Sequence, residues 1–185
     1  MEPVKLGICG LGTVGGGTFN VLKNNADEIS RRCGRTLQVV QVCSRKPNPQ
    51  CELGAVAFTE DSFAVADNPE VEVLIELIGG TTVARELILK AIDNGKHVVT
   101  ANKALIAEHG NEIFQRAQEK GVMVAFEAAV AGGIPVIKAI REGLAGNRIQ
   151  WLAGIINGTG NFILTEMRDK GRAFEEVLRQ AQALG

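Results

Sequence analysis

The sequence lacks an excess of charge of either sign and lacks long apolar runs. Its 185 residues include 20 lysines and arginines against 21 aspartates and glutamates. This balance creates no strong field for nucleic acid or anionic lipid, so a small-molecule ligand is favoured. No apolar run is long enough to span a bilayer, and the N-terminus lacks the hydrophobic region of a signal peptide. We therefore expect a cytoplasmic protein without nucleic-acid or membrane partners.

Residues that bind metals or carry redox chemistry are also scarce. The four cysteines form no C-x-x-C pair: Cys9, Cys33, Cys43 and Cys51. We interpret them as reduced, buried thiols without a metal or redox role. The two histidines, His97 and His109, have no companion ligands, and we expect neither to be catalytic.

Short apolar runs alternate with helical patterns through the first two thirds of the chain. The predicted strands are Val4–Cys9, Leu37–Cys43, Val71–Ile78, His97–Thr100 and Val122–Phe126. The predicted helices between them are Thr13–Asn24, Ala84–Asp93 and Leu105–Lys120. This alternation predicts an α/β fold, a doubly wound parallel sheet of the Rossmann type with helices on both faces.

The pattern changes after Phe126, where a second, α+β unit is expected to begin. A glycine-rich stretch leads to a predicted helix at Pro135–Leu144 and an alternating, half-exposed strand at Ile149–Ile155. Two more helices are predicted at Asn161–Lys170 and Ala173–Leu184. One strand and a few helices make a poor core. We therefore assign residues 1–130 to a dinucleotide-binding domain and 131–185 to a linker and an incomplete substrate and dimerisation domain, and we expect the chain to be truncated.

A glycine motif follows the first predicted strand and opens the first predicted helix. Its six residues fit G-x-G-x-x-G and are candidate cofactor-binding residues: Gly10, Leu11, Gly12, Thr13, Val14 and Gly15. The first glycine permits a tight turn, the second lets pyrophosphate approach the backbone, and the third lets the helix pack on the strand. The alternative is an ordinary glycine-rich turn between a strand and a helix.

The end of the second predicted strand carries positive charge. An acidic residue at this position would bind the ribose 2′-hydroxyl of NAD, but Ser44, Arg45 and Lys46 stand there instead. A hydroxyl and two cations suit a 2′-phosphate, so Arg45 and Lys46 favour NADP, with NAD as the alternative cofactor. The alternative is a solvated basic pair on a loop.

Four segments, taken in order, resemble the N-terminal part of one family. They are Gly10–Gly15, Thr100–Lys103, Glu127–Pro135 and Asn157–Leu164. Together they are similar to homoserine dehydrogenase over the whole chain. The resemblance implies reversible, NAD(P)-dependent reduction of L-aspartate 4-semialdehyde to L-homoserine, in the biosynthesis of threonine, methionine and isoleucine. It also implies a homo-oligomeric complete protein.

Lys103 is the candidate catalytic residue. It follows the predicted strand His97–Thr100 at the sheet edge where ligands bind in this fold. A cation at a helix start is disfavoured by the helix dipole, which a nearby anion or developing alkoxide would offset. The resemblance implies that Lys103 contacts both cofactor and substrate. The alternative is a solvated lysine.

The other site residues come from the resemblance. It implies a monovalent cation, sodium, bound mostly by backbone carbonyls of Glu127, Val130, Gly132 and Ile134; the alternative for this loop is a tight interdomain hinge. It also implies that Thr159 contacts the substrate, whereas a simple Asn-Gly turn with a helix cap is the alternative. Gly185 completes the candidate cofactor-binding residues.

The family's remaining substrate-binding and proton-donating groups would follow Gly185. We therefore expect this chain to bind cofactor without full catalysis. Two other functions remain open: a stand-alone nucleotide-binding or sensing module, and a different NAD(P)-dependent dehydrogenase of amino-acid metabolism. The motif at Asn157–Leu164 argues against the latter.

Overall fold

The computed structural model describes residues 2–184. The chain divides into two compact units, Met1–Gly143 and Leu144–Gly185. Residues 131–143 thus belong to the first compact unit, and a functional boundary after residue 130 stays a prediction. Within the described residues, no helix has both the length and the apolar content needed to cross a bilayer.

The first unit alternates strands and helices along the chain. The strands are β1 (Val4–Cys9), β2 (Leu37–Cys43), β3 (Ala57–Thr59), β4 (Val73–Glu76), β5 (His97–Thr100) and β6 (Val124–Ala125). The helices are α1 (Thr13–Asn24), α2 (Ala26–Cys33), α3 (Ser62–Asp67), α4 (Val83–Asp93), α5 (Lys103–Lys120) and the short α6 (Val136–Lys138), which continues as a π-helix at Ala139–Gly143. A 3-10 turn at Glu127–Ala129 precedes α6.

The six strands form one sheet in the order β3-β2-β1-β4-β5-β6, and every neighbouring pair is parallel. This confirms the expected doubly wound sheet. All carboxyl ends meet at one edge, and the winding reverses between β1 and β4. Ligands of such sheets bind in the crevice at this switch point.

Two apolar clusters cover the two faces of the sheet. On one face, Ile8 of β1 and Val42 of β2 are fully buried, and Phe19 of α1 packs on them. On the other face, Leu74 of β4 packs against Leu87 of α4, and both are fully buried. Neighbouring strand residues supply opposite faces because side chains alternate along a strand.

All four cysteines are free, and three of them are buried as expected: Cys9, Cys43 and Cys51. Burial raises the pKa of the Cys9 and Cys43 thiols, so both are poor nucleophiles. The expectation of burial was wrong for Cys33, which is exposed. It ends α2, a surface helix with no buried residue.

The second unit contains the helices α7 (Gly158–Lys170) and α8 (Phe174–Leu184). Arg172, between the helices, donates to Glu166 of α7 at 2.9 Å and to Glu176 of α8 at 2.8 Å. The strand predicted at Ile149–Ile155 was wrong, because these residues are irregular and exposed. A strand needs a hydrogen-bonded neighbour, and no described strand pairs with this segment.

Candidate nucleotide-binding site

The segment Gly10–Gly15, called here the glycine turn, lies in close backbone contact with the end of β4. Gly10 has a φ of 101°, and its N–H donates to the Cys43 carbonyl at 2.7 Å. A Cβ at Gly10 would lie 2.5 Å from the Leu77 carbonyl oxygen, and one at Gly15 would lie 1.7 Å from the Gly10 oxygen. Glycine is therefore required at both positions, because any side chain would collide with backbone.

Gly12 has a different environment. It is the N-cap of α1, where no side chain caps the helix, and a Cβ at Gly12 would meet nothing within 4 Å. Thr13 and Val14 are exposed beside it. The start of α1 thus presents uncapped N–H groups to open space, the arrangement that favours a phosphate. Leu11 differs from these residues because its side chain is buried in the core.

The basic loop after β2 is tied to the glycine turn through Asn48. The Asn48 Nδ2 donates to the Leu11 carbonyl at 2.8 Å, while Arg45 and Lys46 are exposed. The two cations thus lie on a loop that contacts the glycine turn. Sequence reasoning missed Asn48, which stands between two prolines and has no motif of its own.

Lys103 begins α5, directly after the end of β5, as its position in the sequence predicts. It is exposed. Within residues 2–184, no ion pair involves Lys103 or the basic residues Arg45 and Lys46. The lysine therefore places a positive charge at the positive end of a helix without compensation from a described carboxylate.

Sequence reasoning also missed Glu76, the last residue of β4. Its carboxylate is fully buried at the same sheet edge and accepts from the Thr100 hydroxyl at 2.6 Å. The signal that could have identified Glu76 is a charged residue inside a run interpreted as a buried strand, followed closely by Gly79 and Gly80. Buried carboxylates are rare without partners.

The loop at 127–135 consists of tight turns. Ala131 and Gly133 have positive φ values of 49° and 85°. The Glu127 carboxylate accepts from the N–H groups of Ile137 and Lys138 at 2.9 and 3.0 Å, so it caps the start of α6. Among the described residues, no cluster of three histidines, cysteines or carboxylates could hold a metal. A cation here would therefore depend on carbonyl oxygens, which suit a hard ion.

The remaining candidates, Thr159 and Gly185, belong to the second unit. Thr159 is exposed in the first turn of α7, and the Asn157 side chain caps this helix by accepting from the Gly160 N–H at 2.6 Å. The predicted helix cap is therefore present. Gly185 lies outside the described residues.

A parallel sheet with an uncapped glycine turn at its switch point defines a Rossmann-type dinucleotide-binding protein. The family model described as "Homoserine dehydrogenase, NAD binding domain" matches residues 10–127, and the model described as "Homoserine dehydrogenase" matches residues 135–185. The chain belongs to the homoserine dehydrogenase family and carries its nicotinamide-dinucleotide-binding domain.

Named relatives agree with this assignment. A homoserine dehydrogenase of Pseudomonas aeruginosa is 74% identical over 100% of the chain, and one of Bacillus subtilis is 40% identical over 100% of it. The crystal structure of a homoserine dehydrogenase from Thiobacillus denitrificans matches the whole chain with a TM-score of 0.92 and 62% identity. The chain spans 43% of the length of each of these three proteins.

Gly15 and Gly17 offer a matched pair of substitutions in one helix. Gly15→Ala places a Cβ against the Gly10 carbonyl, so we expect a loss of roughly 2 kcal/mol or more in stability. Gly17→Ala meets nothing within 4 Å and should stabilise α1 by about 0.5–1 kcal/mol. Urea denaturation followed by circular dichroism measures both. Equal stabilities of the two variants would contradict the close contact.

Gly12→Val tests the open side of the turn. The φ of −69° and the free space allow valine, so the fold should survive, whereas the branched side chain should exclude pyrophosphate. We expect NADPH affinity to fall at least about tenfold, equivalent to about 1.4 kcal/mol. Fluorescence titration measures the affinity, with Gly17→Ala as the control. Unchanged affinity in a folded Gly12→Val variant would remove Gly12 from the site.

Proposed function

We propose that the full-length protein carrying this chain is a homoserine dehydrogenase, which reversibly reduces L-aspartate 4-semialdehyde to L-homoserine with NAD(P)H. The observation that carries the proposal is the shared sheet edge: the uncapped start of α1 and the exposed Lys103 both follow carboxyl ends of strands. A nucleotide on the former extends along the edge where the lysine lies. The match to both family models, in chain order, supports the same activity.

The residues along this edge would have separate roles in cofactor binding and in catalysis. The start of α1 binds the pyrophosphate through backbone N–H groups, and the open space at Gly12 lets it approach. The bound nicotinamide supplies or accepts the hydride. Reduction of the aldehyde places negative charge on its oxygen, and the Lys103 ammonium stabilises that charge. The interaction of the Lys103 charge with the dipole of α5 is unfavourable, and no described carboxylate offsets it. Binding of an anionic group next to Lys103 is therefore favoured.

We further propose that NADP is the preferred cofactor. Arg45 and Lys46 are exposed directly after β2, where the 2′ position of the ribose lies in this fold, and positions 44–50 contain no acidic residue. A 2′-phosphate would accept charge-assisted hydrogen bonds from them. Asn48 holds their loop against the glycine turn, which reduces the ordering required on binding.

The remaining site assignments extend the proposal to the substrate and a cation. Thr159 would contact the substrate, and Gly185 the cofactor. The carbonyls of Glu127, Val130, Gly132 and Ile134 would hold sodium. Oxygen donors on a tight loop suit a hard cation, and the Glu127 carboxylate already caps α6. Homo-oligomerisation and a cytoplasmic location stay predictions.

Replacing Arg45 and Lys46 together with alanine tests the cofactor preference. The 185-residue chain should bind NADPH more tightly than NADH, and the preference should shrink as salt is added. The double variant should lose about tenfold or more in NADPH affinity, equivalent to about 1.4 kcal/mol, with little change for NADH.

The matched control removes another exposed basic pair, Arg31 and Arg32 on α2, and so makes the same change in net charge. It should leave both affinities unchanged. Equal affinity of the unmodified chain for NADPH and NADH would contradict the proposed preference. A similar loss in both double variants would indicate a general effect of charge.

Lys103→Ala in the full-length protein tests the catalytic role. Loss of an electrostatic contact to a developing alkoxide typically lowers kcat by about a hundredfold to a thousandfold. Steady-state kinetics with cofactor and substrate varied separately measure it, and Lys120→Ala at the other end of α5 is the control. A raised KM with unchanged kcat would assign Lys103 to binding alone. Unchanged kcat and KM would make it a surface lysine.

A further inference from the structure

A ring of hydrogen bonds, buried at Glu76 and Thr100, joins the ends of β4 and β5 beside Lys103. Glu76 is fully buried and accepts three hydrogen bonds: from the Thr100 hydroxyl at 2.6 Å, the Ile78 N–H at 2.9 Å and the Gly79 N–H at 3.2 Å. One carboxylate therefore holds both its own following turn and the side chain that ends the neighbouring strand.

The ring closes through Asn102. Its N–H donates to the Thr100 Oγ1 at 3.0 Å, and its Nδ2 donates to the Gly80 carbonyl at 2.6 Å. Its Oδ1 accepts from the Leu105 N–H at 3.1 Å and so caps α5. The turn after β4 and the start of α5 are thus fixed to one another through Glu76, Thr100 and Asn102.

The sheet does not need this ring for its core. Leu74 and Ile75 of β4 and Val98 of β5 pack as apolar residues, and an apolar residue at position 76 would avoid the cost of burying a carboxylate. Within the described residues, no cation pairs with Glu76. Hydrogen-bond networks with a satisfied buried centre, here Glu76 and Thr100, rigidify the groups that they join.

The group held most directly is the start of α5. Lys103 follows Asn102, whose backbone and side chain are both engaged in the ring. The ring therefore fixes the Lys103 backbone relative to the Ile78–Gly80 turn, which lies at the switch point next to the glycine turn. A displacement of about 1 Å can lower a catalytic rate about a hundredfold, so such fixing has a measurable value.

We propose that Glu76 is a positioning residue which, acting through Thr100 and Asn102, holds Lys103 in its catalytic position. This inference rests on the proposed role of Lys103. It assigns a function to a buried carboxylate that is not among the proposed cofactor-binding and substrate-binding residues.

Thr100 provides a sharp pair of variants in the full-length protein. Thr100→Val keeps the shape and suits a strand, but it removes the hydroxyl and so opens the ring. Thr100→Ser keeps the hydroxyl and loses a methyl group. We expect Thr100→Val to lower kcat by about tenfold to a hundredfold with little change in the KM for NADPH, and Thr100→Ser to retain most of kcat.

The decisive measurement is the double variant Thr100→Val with Lys103→Ala. If the ring acts through Lys103, opening it should cause little further loss of kcat once the lysine is gone. Independent effects would instead multiply. Asn102→Ser, which retains a helix cap but lacks the amide donor to Gly80, should lower kcat in the same non-additive way and serves if Thr100→Val fails to fold.

Lys96→Met is the matched control for stability. Lys96 is a buried polar residue just before the other end of β5, with its Nζ 2.7 Å from the Asn68 carbonyl and 2.8 Å from that of Val71. Its loss should lower the melting temperature but not kcat.

Three results would overturn the inference. Multiplicative effects in the double variant, or unchanged kcat in both Thr100→Val and Asn102→Ser, would contradict it while leaving the proposed function intact. A kcat unchanged by Lys103→Ala would remove both the catalytic role and the positioning role.

Discussion

The candidate nucleotide-binding site at the carboxyl edge of the sheet depends on close backbone contact between the glycine turn and the end of β4. Leu77 donates its N–H to the Cys9 carbonyl at 2.8 Å, which joins the two strand ends. Gly10 then turns over Leu77, and Gly15 lets α1 start directly above the turn. With a side chain at either glycine, the helix would be displaced and its N–H groups would no longer meet at the switch point. Parallel pairing brings the carboxyl ends of the strands to one edge of the sheet. The contact between Gly10 and Leu77 then determines where α1 begins at that edge.

Buried polar groups at the two ends of β5 serve different purposes. At the amino end, Lys96 donates to two carbonyls of the loop before β4, and burial lowers the pKa of its ammonium group while Asp67 acts in the opposite direction. This contact fastens a surface loop to the sheet. At the carboxyl end, Thr100 and Glu76 join two turns that border the proposed site. The same strand thus carries one polar contact for the fold and one for the ligand edge.

The sequence predicted the elements whose pattern is local and strong. The bounds of β1, α1, β2 and β5 agree with the structure, because glycines and compact apolar runs mark them. The helices α2 and α3 and the strand β3 were missed. They are short, and α2 buries no residue, so apolar periodicity gives little indication of them. The alternating pattern at Ile149–Ile155 was misleading, because alternation cannot supply the neighbouring strand that a ladder requires.

In the candidate site, too, the residues marked by a local pattern were predicted and those that depend on distant partners were missed. The glycine turn and Lys103 were predictable because chain position alone places them at the ligand edge. Asn48 and Glu76 were not, since each acts through partners distant in sequence: Leu11 for the former, and Thr100 for the latter. Only the three-dimensional pairing of strands identifies such residues.

The irregular segment before α7 gives the chain an intrinsic optical probe. Trp151 is the only tryptophan in the sequence, and the residue is 80% exposed. Indole emission shifts to shorter wavelength as water leaves the ring, and no second indole would mask the change. The binding of a tryptophan-free polypeptide that covers this segment can therefore be followed without labels, by the shift in the wavelength of Trp151 emission.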